Sequence, residues 1–271
     1  MRTLTFFSLT ALLLLPVGVF ACVDDAAATA PDGDAGAAGD SASDGMQAGG
    51  DGGGSDGTTA SPPASPSGVV AGAVPIVTTV STLAGSGTGT FKDDTGVLAS
   101  FNSLRGLAAD ATGNLYVADV ANHRIRKVTP AGVVTTLAGS GTEAFADGTG
   151  GPTGTAAFDS PSGVAVDAAG NVYVADALNY RIRKVSPTGD VTTLAGHAGP
   201  GANVDGTGAG AGFNIPVGVA VDATNNIYVA DQYNDNIRKV TPAGVVTTIA
   251  GSGAAAFADG NNASASFNLP R

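Results

Sequence analysis

Short apolar segments alternate with turn residues from about residue 76 onward, and no segment has the 3.6-residue period of an amphipathic helix. In the first two segments of the repeat, valine and other apolar residues recur at every second position, as they do in half-buried strands. In the middle of the chain the four segments are Val164 with Val166, Val172 with Val174, Ile182 to Val185, and Val191 to Ala195. Gly, Pro, Asn and Asp separate them, so the pattern predicts four antiparallel strands joined by short hairpins.

The four-strand unit is repeated along the chain. Its closing phrase returns with a period of about 55 residues. The four copies of this phrase are Ser81 to Gly85, Thr135 to Gly139, Thr192 to Gly196, and Thr247 to Gly251. Three longer matched blocks begin at Phe101, Phe158 and Phe213. A sheet of four antiparallel strands is one blade of a β-propeller, so the repeat predicts an all-β propeller.

The blocks resemble NHL repeats. Gly163 to Asp167 reads GVAVD, Asn171 to Asp176 reads NVYVAD, and Asn179 to Lys184 reads NYRIRK. The resemblance covers roughly residues 77 to 271, and it implies four-stranded blades in a ring of about six. On that basis we expect three complete blades, partial blades at both ends, and a ring that is about half present.

The repeats start and stop out of phase. Ile76 to Gly85 is expected to be a fourth strand without its first three, and Phe267 to Arg271 enters a block without the strand that follows. A truncated ring accounts for this phase. The alternative is self-association of partial rings, since an open array leaves strand edges and an apolar blade face uncovered.

The N-terminal part of the chain has a different composition. Residues 1–22 read as a secretory signal with a lipobox-like end, and Cys22, the only cysteine in the chain, is the expected lipidation site. The alternative is cleavage after Ala21 and release. Residues 23–75 are an acidic Ala/Gly/Asp/Ser segment that cannot build a core, so a disordered linker is expected, followed by the propeller at 76–271. We therefore expect export across the inner membrane and lipid-anchored display at the outer membrane or cell surface.

The formal net charge of −11 argues against nucleic acid as a partner, because nucleic-acid affinity depends on a basic surface. Membrane contact is expected only through the lipid anchor.

Each repeat carries an Asp at the end of its second strand and an Asn three residues later. We expect these residues to close the hairpin, the Asp by accepting amides of the following turn and the Asn by taking a left-handed conformation. They are Asp119, Asn122, Asp176, Asn179, Asp231 and Asn234. The variable positions that follow are expected to face outward as loop tips and to contact a ligand. These are His123, Arg124, Tyr180, Arg181, Asp235 and Asn236.

An Arg-Lys pair recurs in each third strand, with apolar residues three apart, which predicts a bulge or bend there. The pairs begin at Arg126, Arg183 and Arg238. We expect them to pair with the acids that follow each first strand, Asp110, Asp167 and Asp222, although a ring of positive charge for an anionic ligand is the alternative.

Catalytic chemistry has little support in the sequence. The chain offers two histidines, His123 and His197, and one glutamate, Glu143, without metal-ligand spacing. We therefore predict no catalytic residue, no metal site and no cofactor, and expect a binding scaffold for a protein, a peptide or a cell-wall polysaccharide. Two alternatives stay open: a metal-assisted six-bladed hydrolase or lyase with catalytic residues in a missing C-terminal part, and a structural surface module.

Overall fold

The computed structural model describes residues 80–197, 199 and 203–271. Residues 1–79, which include the expected signal segment at 1–22 and Cys22, lie outside the described residues. Within the described part, no helix is long and apolar enough to cross a membrane.

Three four-stranded antiparallel sheets follow one another along the chain, one for each complete repeat. Blade 1 consists of β1 (Leu104–Ala109), β2 (Leu115–Asp119), β3 (Arg124–Val128) and β4 (Val134–Ala138). Blade 2 consists of β5 (Pro161–Val166), β6 (Val172–Asp176), β7 (Arg181–Val185) and β8 (Val191–Gly196). Blade 3 consists of β10 (Pro216–Val221), β11 (Ile227–Asp231), β12 (Asn236–Val240) and β13 (Val245–Ala250), with the short β9 (Gly206–Thr207) added beside β13. The predicted four strands per repeat are confirmed.

The hydrophobic core lies between neighbouring blades. Because side chains alternate along a strand, Tyr173 and Ala175 of β6 face blade 3, whereas Val172 and Val174 face blade 1. Phe158 and Phe213, both fully buried, are central members of the two inter-blade clusters. Period-two alternation in the sequence therefore produces a sheet that is apolar on both faces.

The first strands of successive blades approach one another backbone to backbone, and glycine makes this possible. A Cβ atom added at Gly163 of β5 would lie 2.2 Å from the carbonyl oxygen of Val217 in β10. The same addition at Gly106 of β1 would lie 2.3 Å from the carbonyl oxygen of Ser162. In β1 and β5, glycine is therefore required by a close approach between blades.

The N-terminal partial repeat differs from expectation. The described part of the expected fourth strand, residues 80–85, contains no strand, because the described residues include no third strand for it to pair with. Its carbonyl at Leu83 nevertheless lies against Gly132, just as the carbonyl of Leu137 lies against Gly189. The segment thus occupies the place of a preceding fourth strand without its ladder, and the described residues do not form a closed ring.

Candidate functional site

Antiparallel connectivity sends two kinds of connection to one end of each blade. The β2–β3 turn contacts the loop that enters its blade, since Asn122 Nδ2 donates to the carbonyl of Thr90 at 3.1 Å. Asn179 Nδ2 donates in the same way to the carbonyl of Ala144 at 3.0 Å. We call this end the upper face and define it by the turns at 119–123, 176–180 and 231–235 and the loops at 86–100 and 140–157.

The strand-end aspartates are buried hubs of hydrogen bonds. Asp176 accepts the backbone N–H of Asp159 at 2.8 Å and Asn179 Nδ2 at 2.9 Å, and it pairs with Arg183 Nη1. Its backbone partner lies 17 residues upstream, at the entrance to β5, so the expectation that it accepts backbone amides of the following turn was wrong. The reason is that the chain enters the first strand directly beside the end of the second. From the following turn, Asp176 accepts the side-chain amide of Asn179.

The left-handed residue of each turn is also one position later than expected. The Asn residues lie in short 3-10 turns, Val120–Asn122, Ala177–Asn179 and Gln232–Asn234. The residues that close these turns have positive φ angles, 51° at His123, 57° at Tyr180 and 51° at Asp235. In blades 1 and 2 the Asn side chain instead bridges the strand-end Asp and the preceding loop, so the variable position has a backbone role.

Each third strand contributes a fully buried arginine. Arg183 donates to Asp176 at 2.5 Å, to Asp147 at 2.7 Å and to the carbonyl of Ala157 at 3.1 Å. Arg126 and Arg238 make equivalent contacts with the aspartates of their own blades. Buried charges of this kind are retained only when paired, so the arginines lock the loop, the turn and the strands of a blade together.

The expected pairing of these arginines with Asp110, Asp167 and Asp222 was therefore wrong. Arg183 lies opposite Val174, and Asp176 shares that face of β6, whereas Asp167 follows β5 at the other end of the blade. Asp167 accepts Asn171 Nδ2 and the hydroxyl of Tyr173. The predicted irregularity of the third strand is present as a register shift between Ile182 and Arg183.

Burial changes the pKa of two strand-end acids, Asp176 and Asp231. Loss of solvent raises the pKa of Asp176 to about 6, although Arg183 and the hydrogen bonds act to lower it. Burial likewise raises the pKa of Asp231. At the other end of the blade, the hydrogen bond from Asn226 holds the pKa of Asp222 below its usual value. The three arginine side chains are fully buried, so they do not present a ring of positive charge to a ligand.

The six residues expected at outward loop tips divide into two groups. Arg124 stacks on the Phe91 ring, 3.8 Å from its centroid, and donates to the carbonyl of Ser140 at 2.8 Å. His123, Arg124 and Tyr180 are half-buried. Arg181, Asp235 and Asn236 are buried, so the expectation that they face outward was wrong. A ligand-contact role for all six stays a prediction.

The outward positions of the turns are their second residues, which sequence reasoning missed. Leu178 is 42% exposed and Tyr233 is 55% exposed. In the loops, Phe91 and Phe145 expose 39% and 44% of their surface. Their signal in the sequence was an apolar residue inside a turn made of small and polar ones. Within the described residues, no cluster of three or more His, Cys, Asp or Glu could hold a metal ion.

Blade 3 lacks the arginine–phenylalanine stack of blades 1 and 2. Asn236 stands at the position of Arg124 and Arg181, and Asn203 at the position of the loop phenylalanine. Within the described residues, both polar side-chain atoms of the fully buried Asn236 lack a hydrogen-bond partner. Such groups cost stability.

We expect the double substitution Asn203→Phe with Asn236→Arg to raise the free energy of unfolding by about 1 to 2 kcal/mol, because it removes an unpaired buried amide and rebuilds the stack. Urea denaturation of the wild type, both single variants and the double variant measures the coupling. Purely additive effects would show that the two positions do not form a pair.

Comparison with known proteins agrees with this geometry. The family profile described as NHL repeat matches residues 101–128, 158–185 and 213–239, one match in each blade. The chain is an NHL-repeat protein. The NHL repeat-containing protein 2 of Bos taurus is 36% identical over 128 residues, which are 42% of this NHL-repeat protein and 18% of that relative.

Two more comparisons extend over larger parts of the NHL-repeat protein. The protein SUPPRESSOR OF QUENCHING 1, chloroplastic, of Arabidopsis thaliana is 28% identical over 258 residues, covering 69% of this chain and 24% of the relative. The chain thus spans a quarter or less of the length of the Bos taurus and Arabidopsis thaliana relatives. The structure of an auxiliary nutrient binding protein from Bacteroides thetaiotaomicron aligns with 64% of this chain and 43% of its own, at 20% identity and a TM-score of 0.51. That similarity concerns the fold, and it supports the β-propeller class.

Proposed function

We propose that this NHL-repeat protein is a binding scaffold that holds a protein, a peptide or a cell-wall polysaccharide on its upper face. The observation that carries the proposal is the exposure of Leu178 and Tyr233 on turns held in place by hydrogen bonds to buried aspartates. Exposed apolar side chains on a fixed framework are a common basis of recognition, because little conformational entropy is lost on binding.

The half-buried residues beside these side chains complete the proposed surface. His123, Arg124 and Tyr180 border the turns and keep part of their surface accessible. Arg124 and Arg181 each stack on a loop phenylalanine, at 3.8 and 3.7 Å from the ring centroids. The surface therefore combines apolar contact area with polar edges, which suits a peptide or a sugar polymer.

We expect Leu178→Ser with Tyr233→Ser to weaken binding by about tenfold or more, because two exposed apolar contacts are removed. The probes are purified peptidoglycan sacculi and the soluble envelope-protein fraction, each tested by co-sedimentation or pull-down. Thr188→Ala, in the exposed β7–β8 turn at the opposite end of blade 2, is the control. Equal binding by both variants would contradict a ligand site on the upper face.

We also propose that the protein is anchored by lipid at Cys22 outside the cytoplasm. This proposal comes from the sequence of residues 1–22, which lie outside the described residues. Cys22→Ser is expected to move the protein from the membrane fraction to the soluble extracytoplasmic fraction, as measured by fractionation and immunoblotting. Unchanged membrane retention would contradict the lipid anchor.

A further inference from the structure

Each loop that enters one of the first two blades carries an aspartate and a phenylalanine that contact the third strand of that blade. In blade 1, Asp93 pairs with Arg126, and the Phe91 ring lies under Arg124. In blade 2, Asp147 pairs with Arg183 at 2.7 Å, and the Phe145 ring lies under Arg181 at 3.7 Å. The loop aspartate therefore forms an ion pair with the second arginine of an Arg-x-Arg strand, and the loop phenylalanine stacks on the first.

Blade 3 shows that the two contacts are separable. Asp205 pairs with Arg238 at 2.9 Å, so the aspartate contact is kept. At the other position the chain has Asn203 in the loop and Asn236 in the strand. Among the three blades, phenylalanine in the loop thus accompanies arginine at the first strand position, and asparagine accompanies asparagine.

A fourth loop of this kind, residues 252–266, follows blade 3. Its internal bonds match those of the first loop: the Ser252 and Ser266 hydroxyls are 2.8 Å apart, as are those of Ser86 and Ser100. Phe257, at the position of Phe91 and Phe145, is 89% exposed. Asp259, at the position of Asp93, has neither an ion pair nor a side-chain hydrogen bond within the described part of the chain. Phe257 and Asp259 thus occupy the two contact positions, but within the described residues no third-strand arginine contacts them.

The face of blade 3 beside this loop is also not packed against another blade within the described residues. Tyr228, Ala230 and Ile237 occupy the positions of Tyr173, Ala175 and Ile182, which blade 3 buries to 3% exposure or less. In blade 3 these three side chains are only partly buried. The surface beside loop 252–266 is therefore the same kind of surface that holds one blade against the next.

We propose that loop 252–266 and this face of blade 3 bind an NHL-type blade other than the three described, with Arg-x-Arg in its third strand. The presence of Phe257 requires arginine at the first of these positions, as in blades 1 and 2. Asp147 also accepts the hydroxyl of Thr193 at 3.0 Å, and Asp205 that of Thr248 at 3.0 Å. The bound blade therefore carries threonine in its fourth strand. This contact is separate from the ligand surface of the upper face.

A second copy of the chain does not fit this surface. Its Arg126 and Arg183 are already paired with their own loop aspartates, and its Arg238 belongs to a strand that begins with Asn236. Loop 86–100 of a second copy would occupy the same space as loop 252–266. Docking of a second copy would therefore require loop 86–100 or loop 252–266 to be displaced.

The test uses the full chain and a synthetic hairpin peptide copying residues 179–196, which carries Arg181, Arg183 and Thr193. In heteronuclear NMR titrations we expect saturable shifts confined to the amides of residues 252–266 and the β11–β13 face. Asp259→Asn in the chain, or Arg181→Asn in the peptide, is expected to weaken binding about tenfold or more, because a charge-assisted contact is lost. Glu143→Gln removes one exposed charge from another loop and is expected to bind like the wild type.

Three results would overturn the proposal. One is the absence of saturable shifts at millimolar peptide. Another is equal binding by the wild type and Asp259→Asn while their unfolding curves coincide. The third is a concentration-dependent dimer in sedimentation that Asp259→Asn abolishes, because a second copy would then be the occupant.

Discussion

Gly163→Ala is expected to lower the free energy of unfolding by about 3 kcal/mol, at the upper end of the usual range for overpacking. The added methyl group would lie 2.2 Å from the Val217 carbonyl oxygen and 2.9 Å from the Val219 amide nitrogen. Both are backbone atoms of a strand in the next blade. No side chain can rotate away, so blades 2 and 3 must move apart and lose part of their shared core.

Urea denaturation followed by circular dichroism measures this effect. Gly210→Ala is the matched control, because a Cβ atom there meets nothing within 4 Å, and its effect is expected to stay within about 0.5 kcal/mol. Equal midpoints for the two variants would contradict the close approach of the first strands.

Arg183→Leu is expected to lower the free energy of unfolding by about 3 to 5 kcal/mol, because Asp176 would be left buried without its cationic partner. The leucine also cannot replace the hydrogen bonds to Asp147 and to the carbonyls of Ala157 and Ala146. Lys184→Met, on the neighbouring half-buried residue, is the control and is expected to change stability by less than about 1 kcal/mol.

The effect of Arg183→Leu depends on pH in a defined direction. The folded-state pKa of Asp176, raised to about 6 in the wild type, rises further when Arg183 is lost. A raised folded pKa means that stability is kept below the unfolded pKa and lost as pH rises through the folded value. The variant is therefore expected to be more strongly destabilised at about pH 8 than at about pH 5. A pH-independent difference would contradict a buried, unpaired carboxylate.

The strands were predictable from the sequence because local alternation and the repeated core agree. Val172 and Val174 alternate with Tyr173 and Ala175, and both sets are buried because every inner sheet has a blade on each side. Repetition of this pattern in three blocks indicated the number of strands in each blade. The close approach at Gly163 could not be predicted, because it depends on the distance between blades.

The candidate site was less predictable because its contacts join residues far apart in sequence. The partner of Asp176 is the amide of Asp159, and one partner of Arg183 is Asp147, 36 residues away. The local sequence identified Asp176 and Arg183 as recurrent, but it did not indicate that they lie at the same end of the blade. Burial of Asn236 could not be predicted for the same reason, because the residues that pack around it come from other segments of the sequence.

Photo-crosslinking tests the binding-scaffold proposal most directly. A benzophenone amino acid placed at residue 178 or 233 of the full chain, and at residue 188 as the control, reports which end of the blades contacts a ligand in intact cells. We expect the same adduct from residues 178 and 233 and none from residue 188. Adducts from residue 188 alone, or equal labelling at all three positions, would contradict a ligand site on the upper face.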